Sequence, residues 1–361
     1  MPHLFADISP HGLGHLAQAA PVLNTLARKL PDLRLTIRSG VAESVLRARI
    51  PLDFTFVQGT SDFGFVMHDA THIDKAASAT VYRDFHANWT VRVASEAGLL
   101  ANQKPDLVLT DVAYLPLAAA HAAGIRSLAM CSLNWADLFL HVFGAESWAP
   151  PIHAQILAAY GVAEVFLRLT PAMPMSRLPR CRMVAPVATL GCDRRAELRR
   201  NLNAGYDEKL VLIAFGGFDK DLGAERWPQR AGRRWLVPRA WRTQRADMVP
   251  LEDTGLPFAD LLCSADAAVT KPGYGTFVEA ACGGTPLLYV GRDDWPEQDC
   301  LVDWLQANGR CREVEPADLM AGQLHEALDE LWRQPAPPRP FPSGNEEAAS
   351  IIATALSSSA R

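Results

Sequence analysis

The sequence predicts an α/β protein of two domains, each built on a parallel β-sheet with helices on both faces. Three observations lead to this prediction. The chain has 361 residues, more than a single hydrophobic core usually holds and enough for two. Short apolar runs alternate with longer amphipathic stretches, which is typical of a covered parallel sheet. A strand followed by a glycine-rich turn occurs near the N-terminus and again in the second half.

The first half shows the alternation in order along the chain. Leu16, Ala20, Leu23, Ala27 and Leu30 recur at spacings of four and three, which predicts an amphipathic helix after the first glycine turn. The predicted elements are the strand Leu4–Ile8, the loop His11–His15, that helix, the strand Leu33–Arg38, the helix Gly40–Ala48, the strand Leu52–Val57, the irregular stretch Gly59–Thr80, the helix Val81–Asn102, the strand Leu107–Thr110, the helix Leu115–Ala123 and the strand Arg126–Cys131.

The second half begins after the proline-rich stretch Pro171–Val187, which we interpret as an interdomain linker. Its predicted elements are the strand Leu210–Phe215, the strand Trp235–Pro238, the helix Phe258–Cys263, the strand Ala267–Thr270, the helix Gly275–Cys282, the strand Pro286–Val290, the helix Cys300–Asn308 and a last helix from Asn345. The proline-rich connector Gln334–Pro342 precedes that last helix.

Composition restricts the function classes. The formal net charge of −5 argues against a general nucleic-acid binder, which usually carries a basic face. The seven cysteines form no C-x-x-C pair, which favours buried thiols in a reducing compartment over disulfides or zinc. The N-terminus lacks the pattern of a signal peptide, and no apolar run reaches the roughly 18 residues of a membrane span. We therefore expect a cytoplasmic protein without a transmembrane segment, and peripheral membrane contact stays open.

The strongest motif is the segment Lys271–Glu279, which follows an apolar run and precedes a helix. Gly273 and Gly275 let the backbone approach a ligand, and a helix N-terminus suits a diphosphate. Thr276 adds a hydroxyl donor and Lys271 a positive charge, with Tyr274 between the glycines. Glu279 lies about one turn into the helix, where its carboxylate can accept two hydrogen bonds from a ribose diol. A helix-capping turn is the simpler alternative.

Two further turns follow strands of the same predicted sheet. Ligands of open α/β sheets bind beyond the carboxyl ends of the strands, so the loop after Val290 emerges at the edge that carries the motif. Glu297 and Gln298 in that loop are candidates to bind sugar hydroxyls. Gly216 and Gly217 are candidates to approach the donor phosphates, although a strand-ending glycine pair is also a common turn.

The segment Lys271–Glu279 resembles the donor box of the GT-B glycosyltransferases. The chain looks most like the bacterial family 28, which includes the N-acetylglucosaminyltransferase of lipid II synthesis, and more distantly like the plant UDP-glycosyltransferases. Gly273, Thr276 and Glu279 match the glycine, the serine and the ribose-binding glutamate of the plant box. Lys271 replaces its histidine and Gly275 its asparagine.

The resemblance implies a fold of two Rossmann-like domains facing across a cleft. Residues 1–185 would form the acceptor domain and residues 186–340 the nucleotide-sugar donor domain. Residues 341–361 would form a C-terminal helix that returns to the N-terminal domain.

His15 and Asp111 are the candidate catalytic residues. His15 opens the first helix just past the first strand, and Asp111 ends the fourth strand. A neutral imidazole can remove the proton of an acceptor hydroxyl, and a carboxylate can orient it. The resemblance supports these roles, because the plant enzymes place a catalytic His and Asp at these two positions. Helix capping by both residues is the alternative, and His11 and Asp7 are weaker rival bases.

Asn134 and Trp135 follow the fifth strand and are candidates for the acceptor side, with a structural Trp as an equal alternative. The resemblance implies an inverting, metal-independent glycosyltransferase that moves a sugar from a UDP or dTDP donor to a small-molecule or lipid-linked acceptor hydroxyl. It implies no cofactor beyond the nucleotide sugar, and no metal. A nucleotide-sugar hydrolase of the same fold and a non-catalytic nucleotide-sugar-binding protein are the two alternatives.

Overall fold

The computed structural model describes residues 1–68, 72–216, 222–292 and 294–358, which form two compact units. The first unit consists of Met1–Val187, the short segment Asp294–Glu297 and the C-terminal Pro342–Arg361. The second consists of Ala188–Asp293 and Gln298–Phe341. Both units are built on a parallel sheet with helices, so the predicted α/β fold class is confirmed.

The first unit contains a seven-stranded sheet in the order β3-β2-β1-β4-β5-β6-β7, with every pair parallel. Its strands are β1 His3–Ile8, β2 Arg34–Ser39, β3 Thr55–Gln58, β4 Leu107–Asp111, β5 Ser127–Cys131, β6 Phe166–Leu169 and β7 Cys181–Val184. Its helices are α1 Leu13–Lys29, α2 Glu43–Arg49, α3 Lys75–Ala87, α4 Trp89–Gln103, α5 Leu115–Ala122, α6 Trp135–Phe143, α7 Ala149–Gly161 and α14 Gly344–Ser358.

The central strands of this sheet position the candidate site. Every residue of β1, β4 and β5 is buried, as expected for strands covered on both faces. The loop from β1 to α1 passes through Gly12 at φ 87°, a left-handed conformation that favours glycine. Because β1 pairs with β4, the residues that follow β1 lie beside the end of β4.

The second unit contains a six-stranded parallel sheet in the order β10-β9-β8-β11-β12-β13. Its strands are β8 Lys209–Ala214, β9 Arg233–Val237, β10 Met248–Pro250, β11 Ala267–Thr270, β12 Leu287–Tyr289 and β13 Cys311–Glu313. Its helices are α8 Arg195–Asn201, α9 Phe258–Ser264, α10 Tyr274–Gly283, α11 Glu297–Asn308, α12 Pro316–Ala321 and α13 His325–Arg333, of which α11 begins at the last residue of the segment that belongs to the first unit.

Several sequence predictions need correction. The proline-rich stretch Pro171–Val187 is not a plain linker, because it contains β7, the last strand of the first sheet. The predicted helix Val81–Asn102 is two helices that meet at Asn88, and the first of them begins earlier, at Lys75. The sequence also gave no sign of α6, α7 and β6.

The predicted return of the C-terminal helix is confirmed, since α14 packs against α1 in the first unit. None of the helices in the described part of the chain is both long enough and apolar enough to cross a bilayer.

Candidate active site

The first unit brings the two predicted catalytic residues into contact. His15 lies in the first turn of α1, and Asp111 is the last residue of β4, opposite Ile8 of β1. The Nδ1 atom of His15 donates a hydrogen bond to Oδ1 of Asp111 over 3.1 Å. Both side chains are buried, with 5% and 2% of their surfaces exposed. This contact fixes the orientation of the imidazole ring and leaves Nε2 as the nitrogen for proton exchange.

Burial and charge act in opposite directions on this pair. Burial disfavours the imidazolium, but the neighbouring carboxylate of Asp111 outweighs it and raises the pKa of His15 well above 6.5. Burial raises the pKa of Asp111 as well, and the contact with His15 offsets part of that rise. The pair therefore holds a proton more firmly than a free histidine does.

Cys131, at the end of β5, is a further neighbour of His15. Its Sγ lies 3.8 Å from Nδ1 of His15. The ligand atoms of His15, Asp111 and Cys131 lie within 4.8 Å of one another, a spacing that could hold a metal ion. Burial raises the pKa of the Cys131 thiol to about 11, so the sulfur is protonated near neutral pH unless an ion binds there.

Asp62 is a carboxylate of this site that the sequence analysis missed. It is buried in the irregular stretch before α3, where Ser9 Oγ donates to its Oδ1 over 3.1 Å and Trp135 Nε1 donates to its Oδ2 over 2.8 Å. Burial, followed by the charge of Asp7, raises its pKa to about 6, against the opposing effect of His15. The only sequence signal was its position in a long loop without periodicity.

The two rival bases have other partners. Asp7 forms a buried ion pair with Arg38, which also contacts Glu96, and it accepts a hydrogen bond from Ser61. Arg38 thus binds Oδ2 of Asp7, and Ser61 binds Oδ1. Nε2 of His11 lies 3.2 Å from the carbonyl oxygen of Phe65. His15 is thus the better placed base of the three.

Asn134 and Trp135, predicted for the acceptor side, are fully buried. Asn134 caps α6, because its Oδ1 accepts a hydrogen bond from the backbone nitrogen of Asp137. Trp135 packs in the core of the unit and donates its indole N–H to Asp62. Trp135 therefore belongs to the core beside His15, and Asn134 fixes the start of α6.

The donor motif lies at the N-terminus of α10 in the second unit. Gly273 is the N-cap residue and forms no side-chain cap hydrogen bond. The N-terminus of a helix is a favourable position for an anion. Lys271, Gly273 and Thr276 are partly exposed at this end of the helix. Tyr274, Gly275 and Glu279 are buried within α10.

Gly216 lies at the same sheet edge as the donor motif. It follows β8, which pairs with β11 so that Ala214 lies opposite Thr270. Thr270 Oγ1 donates a hydrogen bond to the carbonyl oxygen of Ala214, which links the two strand ends. Gly216 adopts φ 64°, which favours glycine. Gly217 lies outside the described residues.

Glu297 and Gln298 begin α11 but have different hydrogen-bond partners. Glu297 belongs to the first unit, where its Oε1 accepts from Ser132 Oγ over 2.6 Å and its Oε2 from Trp295 Nε1 over 3.0 Å. Gln298 belongs to the second unit, where its side-chain oxygen accepts from the backbone nitrogen of Arg292. Each oxygen of Glu297 thus accepts a hydrogen bond from the protein, and a role of Glu297 and Gln298 in donor binding stays a prediction.

Comparisons with known proteins identify the fold. No family model matches the chain. The solved glycosyltransferase of kitacinnamycin is similar, with a TM-score of 0.62, 16% identity and coverage of 99% of this chain and 96% of that one. Arabidopsis thaliana UGT89C1 in complex with UDP is similar with a TM-score of 0.61 and 15% identity, and the match covers 99% of this chain and 100% of that one. Glycosyltransferase VinC in complex with dTDP is similar with a TM-score of 0.54 and 16% identity, and the match covers 98% of this chain and 95% of that one.

The chain therefore has the two-domain GT-B fold of glycosyltransferases, as its sequence predicted. Among curated proteins it is similar to the L-arabinokinase of Arabidopsis thaliana, with 26% identity over 324 residues that cover 88% of this chain. The chain spans 31% of the length of that relative. The likeness to family 28 in particular stays a prediction.

Proposed function

We propose that the protein is an inverting glycosyltransferase that moves a sugar from UDP or dTDP to a hydroxyl group, with His15 as the base. The observation that carries the proposal is the 3.1 Å hydrogen bond from His15 to Asp111 at the carboxyl edge of the first sheet. Solved proteins with this fold include one in complex with UDP and one with dTDP, which supports such a donor. We propose no kinase activity from the similarity to the L-arabinokinase, because the chain spans only 31% of the length of that protein.

The proposed reaction is a single displacement. The acceptor oxygen attacks the anomeric carbon, and its proton passes to Nε2 of His15. The bond from the anomeric carbon to the diphosphate oxygen breaks, and the diphosphate leaves with that electron pair. Asp111 stabilises the imidazolium that forms, since the two side chains are already hydrogen-bonded.

The departing diphosphate gains negative charge. We propose that the uncapped N-terminus of α10 and the ammonium of Lys271 stabilise it, with Thr276 as a hydroxyl donor. These groups can perform without a metal the charge stabilisation that a divalent ion supplies in other enzymes. Glu279 would hold the ribose diol.

The test combines binding with turnover. Purified protein is screened by thermal shift against UDP, dTDP and GDP, since a ligand at 100 times its Kd adds about 2.7 kcal/mol of stability. Turnover of the corresponding sugars is then followed with and without an added acceptor. We expect UDP or dTDP to stabilise the protein, and product to form only when an acceptor hydroxyl is present. Release of free sugar without an acceptor would instead identify a hydrolase.

His15→Ala tests the base. We expect the variant to keep the nucleotide stabilisation of the wild type and to lose about a hundredfold or more in turnover. His121→Ala, which changes an exposed histidine on α5, is the matched control and should behave as wild type. Unchanged turnover in His15→Ala would reject the base assignment, and binding without any turnover in the wild type would favour the non-catalytic alternative.

A further inference from the structure

The short segment Asp294–Glu297 is the least expected part of the first unit. The chain reaches it from the second sheet, yet its side chains contact the first unit. The backbone nitrogen of Ile73 donates to Asp294 Oδ2 over 3.3 Å, and Trp295 belongs to the hydrophobic core cluster of the unit. Trp295 is only 6% exposed, although it lies in a polar loop.

Trp295 packs on the aromatic residues next to the candidate base. Its ring is parallel to that of His11 within 4°, with the ring centres 5.9 Å apart. It also lies edge-on to Trp135 at 6.5 Å and to Phe65 at 6.3 Å. Four rings from four separate parts of the chain therefore form one group, which we call the aromatic wall: His11, Phe65, Trp135 and Trp295.

This wall adjoins His15. The ring centre of Trp135 lies 6.0 Å from that of His15 and 5.3 Å from that of His11. His11 precedes His15 by four residues at the start of α1. A hydroxyl that gives its proton to His15 must come within about 3 Å of the imidazole, so the rest of that molecule has to lie near these rings.

Trp295 is also held in place by polar contacts. Its indole N–H donates to Glu297 Oε2, and Ser132 Oγ donates to Oε1 of the same carboxylate. Ser132 follows β5 directly and is completely buried. A buried carboxylate with both oxygens satisfied is costly to displace, so the indole is fixed on the wall rather than free to swing aside.

We propose, on the basis of the function proposed above, that Trp295 limits the acceptor at His15 to small hydroxyl compounds of monosaccharide size or less. The fixed indole fills the space on the wall that a larger, flat acceptor would need. Sugars and other small polyols can reach the imidazole past it, and bicyclic aromatic alcohols cannot. Glu297 contributes to this selectivity by positioning Trp295.

Replacement of the indole tests the proposal. With the best nucleotide sugar, kcat/KM is measured for glycerol, a monosaccharide and 2-naphthol in the wild type and in Trp295→Ala. We expect wild type to use the two small acceptors and to discriminate against 2-naphthol by tenfold or more, as pockets do for groups that do not fit. Trp295→Ala should raise kcat/KM for 2-naphthol by about tenfold and leave the Kd for UDP unchanged.

A second readout does not depend on turnover. Calorimetry measures the binding of 2-naphthol, and diethyl pyrocarbonate measures the access to His15. In Trp295→Ala, 2-naphthol should bind and should protect His15 from modification, whereas in the wild type it should do neither. This readout decides the role of Trp295 even if no nucleotide sugar is turned over, a result that would reject the proposed function alone.

Two more variants keep the outcome clear. Ser132→Ala removes one hydrogen bond from Glu297 while it leaves every ring in place, and we expect a smaller gain for 2-naphthol in the same direction. Trp148→Ala removes a tryptophan that contacts Phe139 and Phe143 in the same cluster, and it should leave the acceptor range unchanged. Equal binding of 2-naphthol in wild type and Trp295→Ala, or an equal gain in Trp148→Ala, would overturn the proposal.

Discussion

At the scale of residues, the pair His15–Asp111 combines two opposing demands. A general base must be neutral before it can take a proton, yet the carboxylate of Asp111 raises the pKa of His15 well above 6.5. The same carboxylate holds Nδ1 protonated, so that Nε2 carries the reactive lone pair once the ring is neutral. The contact with Asp111 thus orients the imidazole of His15 and makes it a stronger base. It also lowers the fraction of His15 that is neutral near pH 7.

This balance predicts the pH dependence of the reaction. The active form is the neutral ring, so kcat/KM should rise with pH through an apparent pKa above 6.5. In Asp111→Asn the charge that raises the pKa is gone while burial remains, and burial lowers the pKa of His15. The midpoint of the profile should therefore move to lower pH, while the limiting rate falls by about a hundredfold or more because the orienting carboxylate is lost.

The measurement is kcat/KM of wild type and Asp111→Asn from pH 5 to pH 9 with the same donor and acceptor. Asp32→Asn, at an exposed position, is the control and should keep the midpoint of the wild type. An Asp111→Asn profile with an unchanged midpoint would show that His15 is not the titrating group.

Residues at strand ends could be found from the sequence, and residues in loops could not. His15 and Asp111 follow apolar runs, and the carboxyl ends of parallel strands meet at one sheet edge. Asp62 and Trp295 instead reach the site through irregular segments whose paths depend on tertiary contacts. Glu297 shows the same limit, since its contact with Ser132 could not be predicted from its position in the sequence.

At the scale of elements, α10 is the part of the second unit on which we propose that donor binding depends. Gly273 leaves the helix without a side-chain cap, and Thr276 is the third residue of the helix. A hydroxyl at this position can donate to a phosphate oxygen beside the first-turn N–H groups. Affinity for the diphosphate should therefore rest on the end of this helix more than on any single cation.

Thr276→Val removes the hydroxyl and keeps the shape of the side chain. We expect the affinity for UDP to fall by about 1 kcal/mol, which is roughly fivefold, as for the loss of one hydrogen bond. Isothermal calorimetry measures this directly. Thr354→Val, which makes the same change on α14 in the first unit, should leave the affinity unchanged. An equal effect of the two changes, or none of Thr276→Val, would remove Thr276 from the donor site.

The elements that the sequence missed share a physical cause. Three of the four residues of β7 are exposed, so this edge strand lacks the apolar run that marks a buried one. Helix α7 begins with Ala149 and two prolines, which suit a first helical turn but suggest a loop when read alone. Strong apolar patterns in the sequence predicted the central strands. The elements at the edges of the sheet depend on tertiary packing, which the sequence pattern does not show.

At the scale of the whole molecule, the C-terminal helix completes the first unit. Helix α14 buries Ala348, Ala349, Ile352 and Leu356 and packs against α1. Its start is closely packed too, because a Cβ added at Gly344 would lie 2.0 Å from the carbonyl oxygen of Ala185. The last residues of the chain should thus contribute to the stability of the unit that contains His15.

Ile352→Ala tests this contribution. Ile352 is fully buried, and truncation of such a side chain in a core costs about 2–5 kcal/mol. The neighbouring Ile351 is half-buried on another face of the same helix, so Ile351→Ala is the matched control and should cost clearly less. Hydrogen exchange of the two units separates a local effect from a general one.

We expect faster exchange in β1, β4 and α1 of Ile352→Ala, together with an unchanged Kd for UDP, because the donor motif lies in the other sheet. An equal cost of the two substitutions would mean that Ile352 does not lie on the buried face of α14. Loss of UDP affinity in Ile352→Ala would show instead that the stability of the donor unit depends on this helix, and the two units would then not unfold independently.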